Sequence, residues 1–355
     1  MPAIRHRIAA AEIDLLRFRL DKPVGGSGVA AVDVVTARLA TDQGLEGFGL
    51  SYVLAGPGEV PARAARALAE AHVTGTDLVH PFAHLRAMKG GFRRMGRGPM
   101  QTGMAALDVA LWDLHAKALD LPLGLAMGGT RRAVPVYGSG GFNASQTVAE
   151  VLTTRDAYAA QGITAIKPRL SGGPGDAAFI AGVAAALGGA GHMMLDANGK
   201  CSPAEARRLS QLARDAGVLW LEEPLPAHDL AGYRALRDAG GAPIAAGESV
   251  QGLAELVPLV DERLCDVVQP DLGMTGLSEA LQLCTVAEAL GVEVAPHFLP
   301  SLFIHLAVAS PAVSWLEDFP LLEPLLDRPL GYREDGKAEL PERPGHGFNL
   351  ADGAL

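Results

Sequence analysis

Three apolar segments of this chain each end in an acidic residue, and the three acidic residues are evenly spaced. Asp196 closes the segment HMMLDAN, Glu222 lies in VLWLEEP and Glu248 lies in PIAAGES, at intervals of 26 residues. A period of this length fits one strand, one helix and two short loops, which form the repeating unit of a parallel β/α barrel. The spacing therefore predicts three consecutive barrel strands that each end in a carboxylate.

The same alternation of short β-rich segments and Ala/Leu-rich helical segments begins near Val134 and forms an internal repeat. Its candidate strands end near Ser139, Arg169, Asp196, Glu222, Glu248, Asp271, His297 and Glu317. Eight strand ends complete a barrel. The chain has 355 residues, which leaves room for a smaller domain beside a barrel of about 250 residues.

The segment before the barrel carries two other patterns. Apolar and polar residues alternate up to about residue 60, which predicts an antiparallel sheet packed on one face. The glycine-rich connection 22–29 predicts a surface loop or a lid. From about residue 60 to 128 the sequence has a helical pattern. Gly128 and Gly129 predict the end of the helix that contains Leu107 and Leu111. We therefore divide the chain into an α+β domain (1–128), a barrel (129–325) and a C-terminal segment (326–355) that packs back on the first domain.

Composition and charge exclude several classes of function. The net charge of −10 argues against nucleic acids and anionic membranes as partners, because both attract basic surfaces. The three cysteines lack metal-ligand spacing, which indicates a reducing, cytoplasmic setting. Charged residues interrupt the apolar N-terminus, so no signal peptide is expected. The sequence has no uninterrupted apolar stretch of about 18 residues, so no membrane span is expected.

The three evenly spaced carboxylates predict a metal site. The carboxyl ends of parallel barrel strands meet at one mouth, where barrel enzymes keep their chemistry. Three carboxylates at that mouth would repel one another unless a cation neutralised them. Hard oxygen ligands suit Mg²⁺, which keeps positions open for water or substrate. We therefore assign Asp196, Glu222 and Glu248 as candidate Mg²⁺ ligands.

Cationic and polar residues are expected at the same mouth. Side chains two residues apart on a strand point the same way, so Lys167 and Arg169 share a face, as do Asp196 and Asn198. Two cations beside three carboxylates predict a site for an anionic, metal-bound substrate. Lys167, Arg169, Asn198 and the strand-end residue Ser139 are the candidate substrate-binding residues.

A histidine and an aspartate end two neighbouring candidate strands. Asp271 lies in VVQPDLG and His297 in VEVAPHF, at an interval of 26 residues. An aspartate on the adjacent strand would accept the imidazole N–H, fix its tautomer and raise its basicity. His305, within a helical segment, is interpreted as structural. Glu317 closes the ring of strand ends, and burial near other carboxylates predicts a protonated side chain that donates a hydrogen bond to substrate.

These segments resemble those of a known family. LDAN, WLEEP, AAGES, QPDLG, APHF and WLE, in this order and spacing, resemble the enolase superfamily, specifically its mandelate racemase subgroup. The resemblance implies an α+β capping domain over a (β/α)7β barrel, homo-oligomers, and abstraction of the proton α to a carboxylate through an enediolate. It also implies Mg²⁺ on the three carboxylates, an Asp271–His297 dyad and Glu317 near the substrate carboxylate. Glu223 is expected beside the metal ligands rather than among them.

One residue departs from the pattern of that subgroup. Its racemases typically carry Lys-x-Lys on the second barrel strand, with the second lysine as a base on the face opposite the histidine; here that position is Arg169. A guanidinium is rarely deprotonated but binds oxygen anions well. With His297 as the one competent base, β-elimination of water from an acid sugar, giving a 2-keto-3-deoxy acid, is the leading hypothesis. A racemase or epimerase of a 2-hydroxy or related acid is the first alternative, and an inactive binding protein is the second.

Two of three loops are expected to bear on specificity. The basic loop 90–98 is interpreted as solvated rather than substrate-binding. The shape of the substrate pocket is expected to depend on the loops around 20–30 and 50–56.

Overall fold

The first domain combines a three-stranded sheet with helices. The computed structural model describes residues 6–24, 29–54, 56–93, 96–188 and 192–351. The sheet is an antiparallel meander in the order β1-β2-β3. Its strands are β1 (Ile8–Val24), β2 (Val29–Thr41) and β3 (Glu46–Val53), and its helices are α1 (Glu59–His72), α2 (Pro81–Gly90), α3 (Gly98–Ala118) and the short α4 (Leu123–Ala126), with a 3₁₀ turn at Gly91–Arg93. Strand β1 continues through part of the predicted loop 22–29, of which residues 25–28 lie outside the described residues.

Both faces of this sheet are covered. Along β3, Gly47 and Gly49 face α3, and a Cβ on Gly49 would lie 2.3 Å from the carbonyl oxygen of Ala106. The alternate residues Phe48 and Tyr52 lie on the other face and pack within the core that includes the barrel. The prediction of one packed face is therefore wrong for this part of the sheet, because α3 covers one side and the barrel and C-terminal segment cover the other.

Helix α3 ends earlier than the sequence pattern predicted. It stops at Ala118, whereas the expected end was Gly128. Asp120 adopts a left-handed backbone conformation with φ of 54°, and Pro122 follows. Pro122 disfavours helical geometry at the residue before it, Leu121, and Asp120 has already left the helical conformation. Helix α3 therefore ends here, and only the short α4 precedes Gly128.

The second domain is the predicted barrel. Its eight strands are β4 (Val134–Gly138), β5 (Ala165–Ile166), β6 (Leu195–Asp196), β7 (Leu221–Glu222), β8 (Ile244–Ala246), β9 (Val267–Val268), β10 (Glu293–Val294) and β11 (Leu316–Asp318). The helices are α5 (Val148–Ala159), α6 (Asp176–Ala186), α7 (Pro203–Asp215), α8 (Leu230–Ala239), α9 (Leu253–Asp261), α10 (Leu272–Thr275), α11 (Leu277–Leu290) and α12 (Pro300–Ala309). An α-helix follows each of the first seven strands, and within the described residues no α-helix follows the eighth, which is the order of a (β/α)7β barrel.

Parallel pairing closes the ring. The strands β6 to β10 form one run, and β11, β4 and β5 form another. Isolated bridges join the two runs, at Arg169–Asp196 and Ile166–Met193 on one side and at Val294–Val313 on the other. None of the helices in the described part of the chain combines the length and apolarity needed to cross a membrane.

The C-terminal segment contacts both domains. After a 3₁₀ turn at Glu323–Leu325, strand β12 (Lys337–Ala338) pairs antiparallel with the start of β4. Further on, the backbone N–H of His346 donates to Asp113 of α3 at 2.9 Å, and its imidazole contacts the carbonyl oxygen of Phe48 at 2.7 Å. The segment therefore joins the first barrel strand to the sheet and central helix of the first domain.

Candidate active site

The structure brings the predicted acidic residues to one mouth. Asp196 and Glu222 are the last residues of β6 and β7 and lie opposite each other in register. Glu248 lies two residues beyond β8, in the loop that follows. Asp196 and Glu222 are fully buried. Within the barrel, Tyr137 and Trp220 pack edge to face at 5.5 Å in a separate buried apolar cluster.

Sharp backbone turns follow several of these strand ends. Asn198, Glu223, Phe298 and Leu299 have positive φ angles between 32° and 60°. Such conformations cost roughly 1–3 kcal/mol each for residues with a Cβ, and they concentrate at functional sites. The chain therefore accepts local strain immediately after β6, β7 and the His297 segment.

Each candidate metal ligand is paired with a cationic side chain. The pairs are Arg169 with Asp196, Lys167 with Glu222 at 2.5 Å, and His297 Nε2 with Glu248 Oε2 at 3.2 Å. Because these carboxylate oxygens are turned toward the cations, the described residues contain no preformed group of three His, Cys, Asp or Glu side chains around a common metal position.

The donor set nevertheless fits a hard divalent cation. Burial raises the pKa of Glu222 to about 8 against the opposing charge of Lys167. Burial also raises the pKa of Glu248 to about 7. The nearby positive charge does not fully compensate the burial of these carboxylates in their ionised form. A divalent cation bound between them would supply the missing positive charge.

The two adjacent glutamates have different surroundings. Glu222 points into the barrel, where its Oε2 accepts from Gln269 Nε2 at 2.7 Å and from Trp220 Nε1 at 3.3 Å. Glu223 turns toward the loop after β8, where its Oε2 accepts from the Ser249 hydroxyl at 2.7 Å. This arrangement supports the choice of Glu222 over Glu223 as a candidate ligand.

His297 and Asp271 form the expected pair. Nδ1 of His297 lies 2.7 Å from Oδ2 of Asp271, and a parallel bridge joins the two residues beyond the ends of β9 and β10. Because Nδ1 faces a carboxylate it carries the proton, which leaves Nε2 facing the mouth. Burial opposes protonation of His297, but the carboxylates of Glu248 and Asp271 prevail and raise its pKa to about 10.

Glu317 differs from its prediction. Its Oε1 lies 2.9 Å from Lys167 Nζ, and its Oε2 accepts the backbone N–H of Phe298 at 3.1 Å. Burial favours the protonated form, but Lys167 and His297 outweigh it and lower the pKa of Glu317 to about 2. The prediction of a protonated donor is therefore wrong for this arrangement, since Glu317 is an ionised acceptor beside Lys167. The Ser139 hydroxyl lies next to Glu317 and contributes to the same shift.

Arg169 is held in place through one end of its guanidinium. Nη1 donates to Asp196 Oδ2 and, at 3.0 Å, to Asn198 Oδ1, while Asn198 Nδ2 also donates to Asp196. The side chain of Arg169 is 9% exposed, and its Nε is buried with no hydrogen-bond partner among the described residues. Neighbouring carboxylates raise its pKa against the effect of burial, so the guanidinium stays charged.

The first domain supplies part of the site, and it does so through the segment 50–56 that was expected to shape the pocket. A cavity of about 350 Å³ beside His297 and Glu248 is lined by Tyr52, Val53, Leu54 and Thr102 of that domain, together with Ser249, Asp271, Gly273 and Met274. Gln269 was missed, although its position two residues before Asp271 in VVQPD places both on one strand face. For the individual contact of Tyr52 no sequence signal exists, because it depends on how the two domains dock.

Buried polar contacts fix that docking. Asp108 of α3 accepts from the backbone N–H of Ser278 at the start of α11 at 2.7 Å. Lys89 of α2 pairs with the buried Glu279. Arg97, in the basic loop 90–98, donates to the Gln251 carbonyl at 2.9 Å in the loop after β8. This arginine is therefore docked on the barrel rather than solvated, and residues 94 and 95 of its loop lie outside the described residues.

The fold and the site define a class of protein, a capped (β/α)7β barrel with acidic strand ends and a histidine–aspartate pair at its mouth. Two domain families match the chain. The mandelate racemase / muconate lactonizing enzyme N-terminal domain matches residues 23–128, and the enolase C-terminal domain-like family matches residues 149–354. The chain belongs to the enolase superfamily, in its mandelate racemase subgroup.

Similar proteins include both lyases and isomerases. The L-talarate/galactarate dehydratase of Salmonella typhimurium is 32% identical over 365 residues, which cover 98% of this chain and 90% of that protein. The structure of L-talarate dehydratase from Polaromonas sp. JS666 complexed with Mg and L-glucarate matches with a TM-score of 0.90 at 30% identity, over 98% of this chain and 96% of that chain. A racemase from Streptomyces coelicolor with bound magnesium matches with a TM-score of 0.90 at 26% identity, over 97% of each chain.

Proposed function

We propose that this protein is a Mg²⁺-dependent hydro-lyase that dehydrates an acid sugar to a 2-keto-3-deoxy acid. The observation that carries the proposal is the asymmetry of the mouth. On one side His297 has an orienting aspartate at Nδ1, and its Nε2 faces the mouth beside Glu248. Three strands away around the barrel stands Arg169, which stays charged and is held by Asp196 and Asn198. A site with one competent base favours elimination over two-sided proton exchange.

The proposed reaction uses His297 twice. Nε2 takes the proton from C2, next to the substrate carboxylate, while Nδ1–H remains bonded to Asp271. The imidazolium then returns a proton to the 3-hydroxyl as the C3–O bond breaks, so that water leaves and a double bond forms between C2 and C3. The resulting enol becomes the 2-keto-3-deoxy acid by gaining a proton at C3 and losing the proton of its C2 hydroxyl. One group acting as base and then acid requires the hydrogen and the hydroxyl to be on the same face.

The remaining residues would bind and orient the anion. Mg²⁺ on Asp196, Glu222 and Glu248 would supply the positive charge that a developing enediolate requires. A cation at Glu248 would also offset the charge that raises the pKa of His297, and so favour the neutral imidazole that a base needs.

Polar groups around the metal position would complete the recognition of substrate. Lys167 would meet a substrate carboxylate oxygen, and the unused edge of the Arg169 guanidinium would bind hydroxyl or carboxylate oxygens. Asn198, Glu317 and Ser139 offer further hydrogen bonds at the same mouth. As an ionised group, Glu317 would accept from a substrate hydroxyl rather than donate to it.

Dehydration and one-sided exchange can be measured together. A library of acid sugars is incubated with the Mg²⁺-loaded enzyme in D₂O, and 2-keto acid formation and deuterium at C2 are followed by NMR. We expect a 2-keto-3-deoxy product, with C2 exchange confined to one configuration. Interconversion of both epimers at comparable rates would contradict the one-base argument and establish a racemase.

A racemase or epimerase of a 2-hydroxy or related acid remains the second candidate, because of the cavity wall. Val53, Leu54 and Met274 present apolar groups beside His297. They offer no hydrogen bonds to a row of hydroxyls, which favours a substrate with a less hydroxylated distal part. The library should therefore include 2-hydroxy acids with apolar substituents, assayed for inversion at C2.

The expected setting is a cytoplasmic homo-oligomer acting on a small carboxylate. The three cysteines are free and buried, which supports a reducing compartment. The prediction of a homo-oligomer rests on the family resemblance, and light scattering of the purified protein tests it.

A further inference from the structure

A tyrosine of the first domain reaches the acid–base pair of the barrel. The hydroxyl of Tyr52, near the end of β3, donates to Oδ2 of Asp271. The same oxygen accepts Nδ1–H of His297 at 2.7 Å. The proposed base is thus supported, through one carboxylate oxygen, by a residue of the other domain.

Three donors hold the Asp271 carboxylate. The backbone N–H of Met274 donates to Oδ1 at 3.0 Å, because Asp271 is the N-cap of α10, while Tyr52 and His297 share Oδ2. Without the Tyr52 hydroxyl, Oδ2 of Asp271 would lose one of these two donors and keep the imidazole of His297. Of these three donors, the Met274 N–H on Oδ1 and the imidazole itself would then remain, so the carboxylate would be less tightly aimed at His297.

The tyrosine is itself held as a donor. It is 5% exposed, and its ring lies 6.0 Å from that of Phe298, which in turn stacks on His297 at 3.5 Å. Burial and the charge of Asp271 raise the pKa of Tyr52 well above its ordinary value, so the hydroxyl keeps its proton. Tyr52 is therefore linked to His297 through two intermediate residues, Asp271 and Phe298.

The distance between Tyr52 and Asp271 depends on direct backbone contact between the two domains. A Cβ on Gly273 in α10 would lie 2.9 Å from the carbonyl oxygen of Tyr52, so β3 and α10 approach as closely as a glycine allows. The neighbouring Ser51 hydroxyl donates to the Thr102 carbonyl at 2.7 Å and ties the end of β3 to α3. Docking of the first domain thus determines where the hydroxyl lies.

We propose that Tyr52 is a positioning residue, which orients Asp271, and through it the imidazole of His297, only while the first domain is docked on the barrel. As far as turnover is concerned the inference rests on the proposed function. It adds a second role for the first domain, which then serves the acid–base chemistry in addition to lining the cavity.

The kinetic test removes the hydroxyl and keeps the ring. Tyr52→Phe should lower kcat about 10- to 100-fold, the effect of losing one hydrogen bond to a charged group, with little change in KM. Exchange of the C2 proton should fall by the same factor. Tyr233→Phe is the matched control, because it removes a buried hydroxyl that donates to the Leu225 carbonyl at 2.8 Å without touching the dyad. Its kcat should stay at the wild-type value.

A double-mutant cycle separates positioning from a general structural effect. If Tyr52 acts through Asp271, then Tyr52→Phe should change kcat little when Asp271 is already Asn. If the loss of kcat in the double variant equals the product of the losses in the two single variants, Tyr52 acts independently of Asp271. That result would overturn the inference.

A measurement without substrate keeps this inference distinct from the proposed function. In ¹⁵N-histidine-labelled protein, the Nδ1–H resonance of His297 is identified by its absence in His297→Asn. In Tyr52→Phe it should shift and exchange faster with water. An unchanged resonance, or wild-type kcat in Tyr52→Phe, would overturn the inference. If the wild type turned over none of the acids, the proposed function would fail, while the resonance would still decide the role of Tyr52.

Discussion

Replacing His305 by glutamine should reduce the loss of stability that this protein suffers in mild acid. His305 is fully buried in α12, where its Nδ1 accepts the backbone N–H of Gly124 at 3.0 Å and its Nε2 faces the carbonyl oxygen of His346 at 3.1 Å. Only the neutral imidazole satisfies both partners. Burial and the neighbouring His346 lower the pKa of His305 to about 3.

The sign and size of the effect follow from linkage. In the unfolded chain a histidine titrates near 6.5, so below that pH the unfolded state binds a proton that the folded state refuses. Stability is therefore complete above a pH of about 6.5 and is lost as the pH falls toward the folded value. At pH 5.5 the loss is about 1.4 kcal/mol, set by the unfolded pKa and insensitive to the exact folded one.

The assay is urea unfolding at pH 7.5 and pH 5.5. Glutamine keeps one acceptor and one donor but does not titrate. Between pH 7.5 and pH 5.5 the free energy of unfolding of His305→Gln should therefore fall by about 1.4 kcal/mol less than that of the wild type. The exposed His228, replaced in the same way, is the control and should leave the pH dependence unchanged. An identical pH dependence in the wild type and His305→Gln would refute the reasoning.

Three further predictions concern the site. EDTA should abolish turnover and Mg²⁺ should restore it, and Glu222→Gln should weaken Mg²⁺ binding by calorimetry far more than Glu223→Gln; the reverse ranking would mean that the other glutamate is the ligand. His297→Asn should eliminate both dehydration and C2 exchange, whereas Asp271→Asn should slow both and shift the pH–rate profile, and an active His297→Asn would place the base elsewhere. Arg169→Lys should raise KM, because the planar guanidinium contact with substrate oxygens is lost. If the new lysine acts as a base, weak exchange of the opposite C2 configuration is also expected. An unchanged KM would show that Arg169 does not bind substrate.

The barrel and most of its mouth could be predicted from sequence because their signals are local. Each strand end is encoded within a few residues, and the regular spacing places Asp196, Glu222 and Glu248 on successive strands without knowledge of any long-range contact. The pairing of Asp271 with His297 follows from the same regularity, since adjacent parallel strands bring their ends together. The family resemblance rests on these same local segments.

The parts that escaped prediction depend on contacts between distant elements. Tyr52 and Asp271 are 219 residues apart in sequence and meet only through domain docking. The ionised state of Glu317 follows from the position of Lys167 on another strand, because burial alone would have kept it protonated. The early end of α3 was a local signal that was overlooked, since Pro122 already stood in the sequence.

The pairing of charges at the mouth predicts that metal and substrate bind cooperatively. Lys167 Nζ lies between Glu222 at 2.5 Å and Glu317 at 2.9 Å, and Arg169 is held by Asp196. While these pairs persist, Lys167 is held away from a substrate carboxylate, and Arg169 can offer only its unused edge. A divalent cation on the carboxylates would release Lys167 and the held end of Arg169, so each ligand should strengthen the binding of the other by the same factor. His297→Asn, which cannot turn over, allows the measurement by calorimetry: an acid sugar should bind in Mg²⁺ and bind far more weakly in EDTA. Equal affinity in the two buffers would show that the cations are available without the metal, and that the pairs do not govern substrate binding.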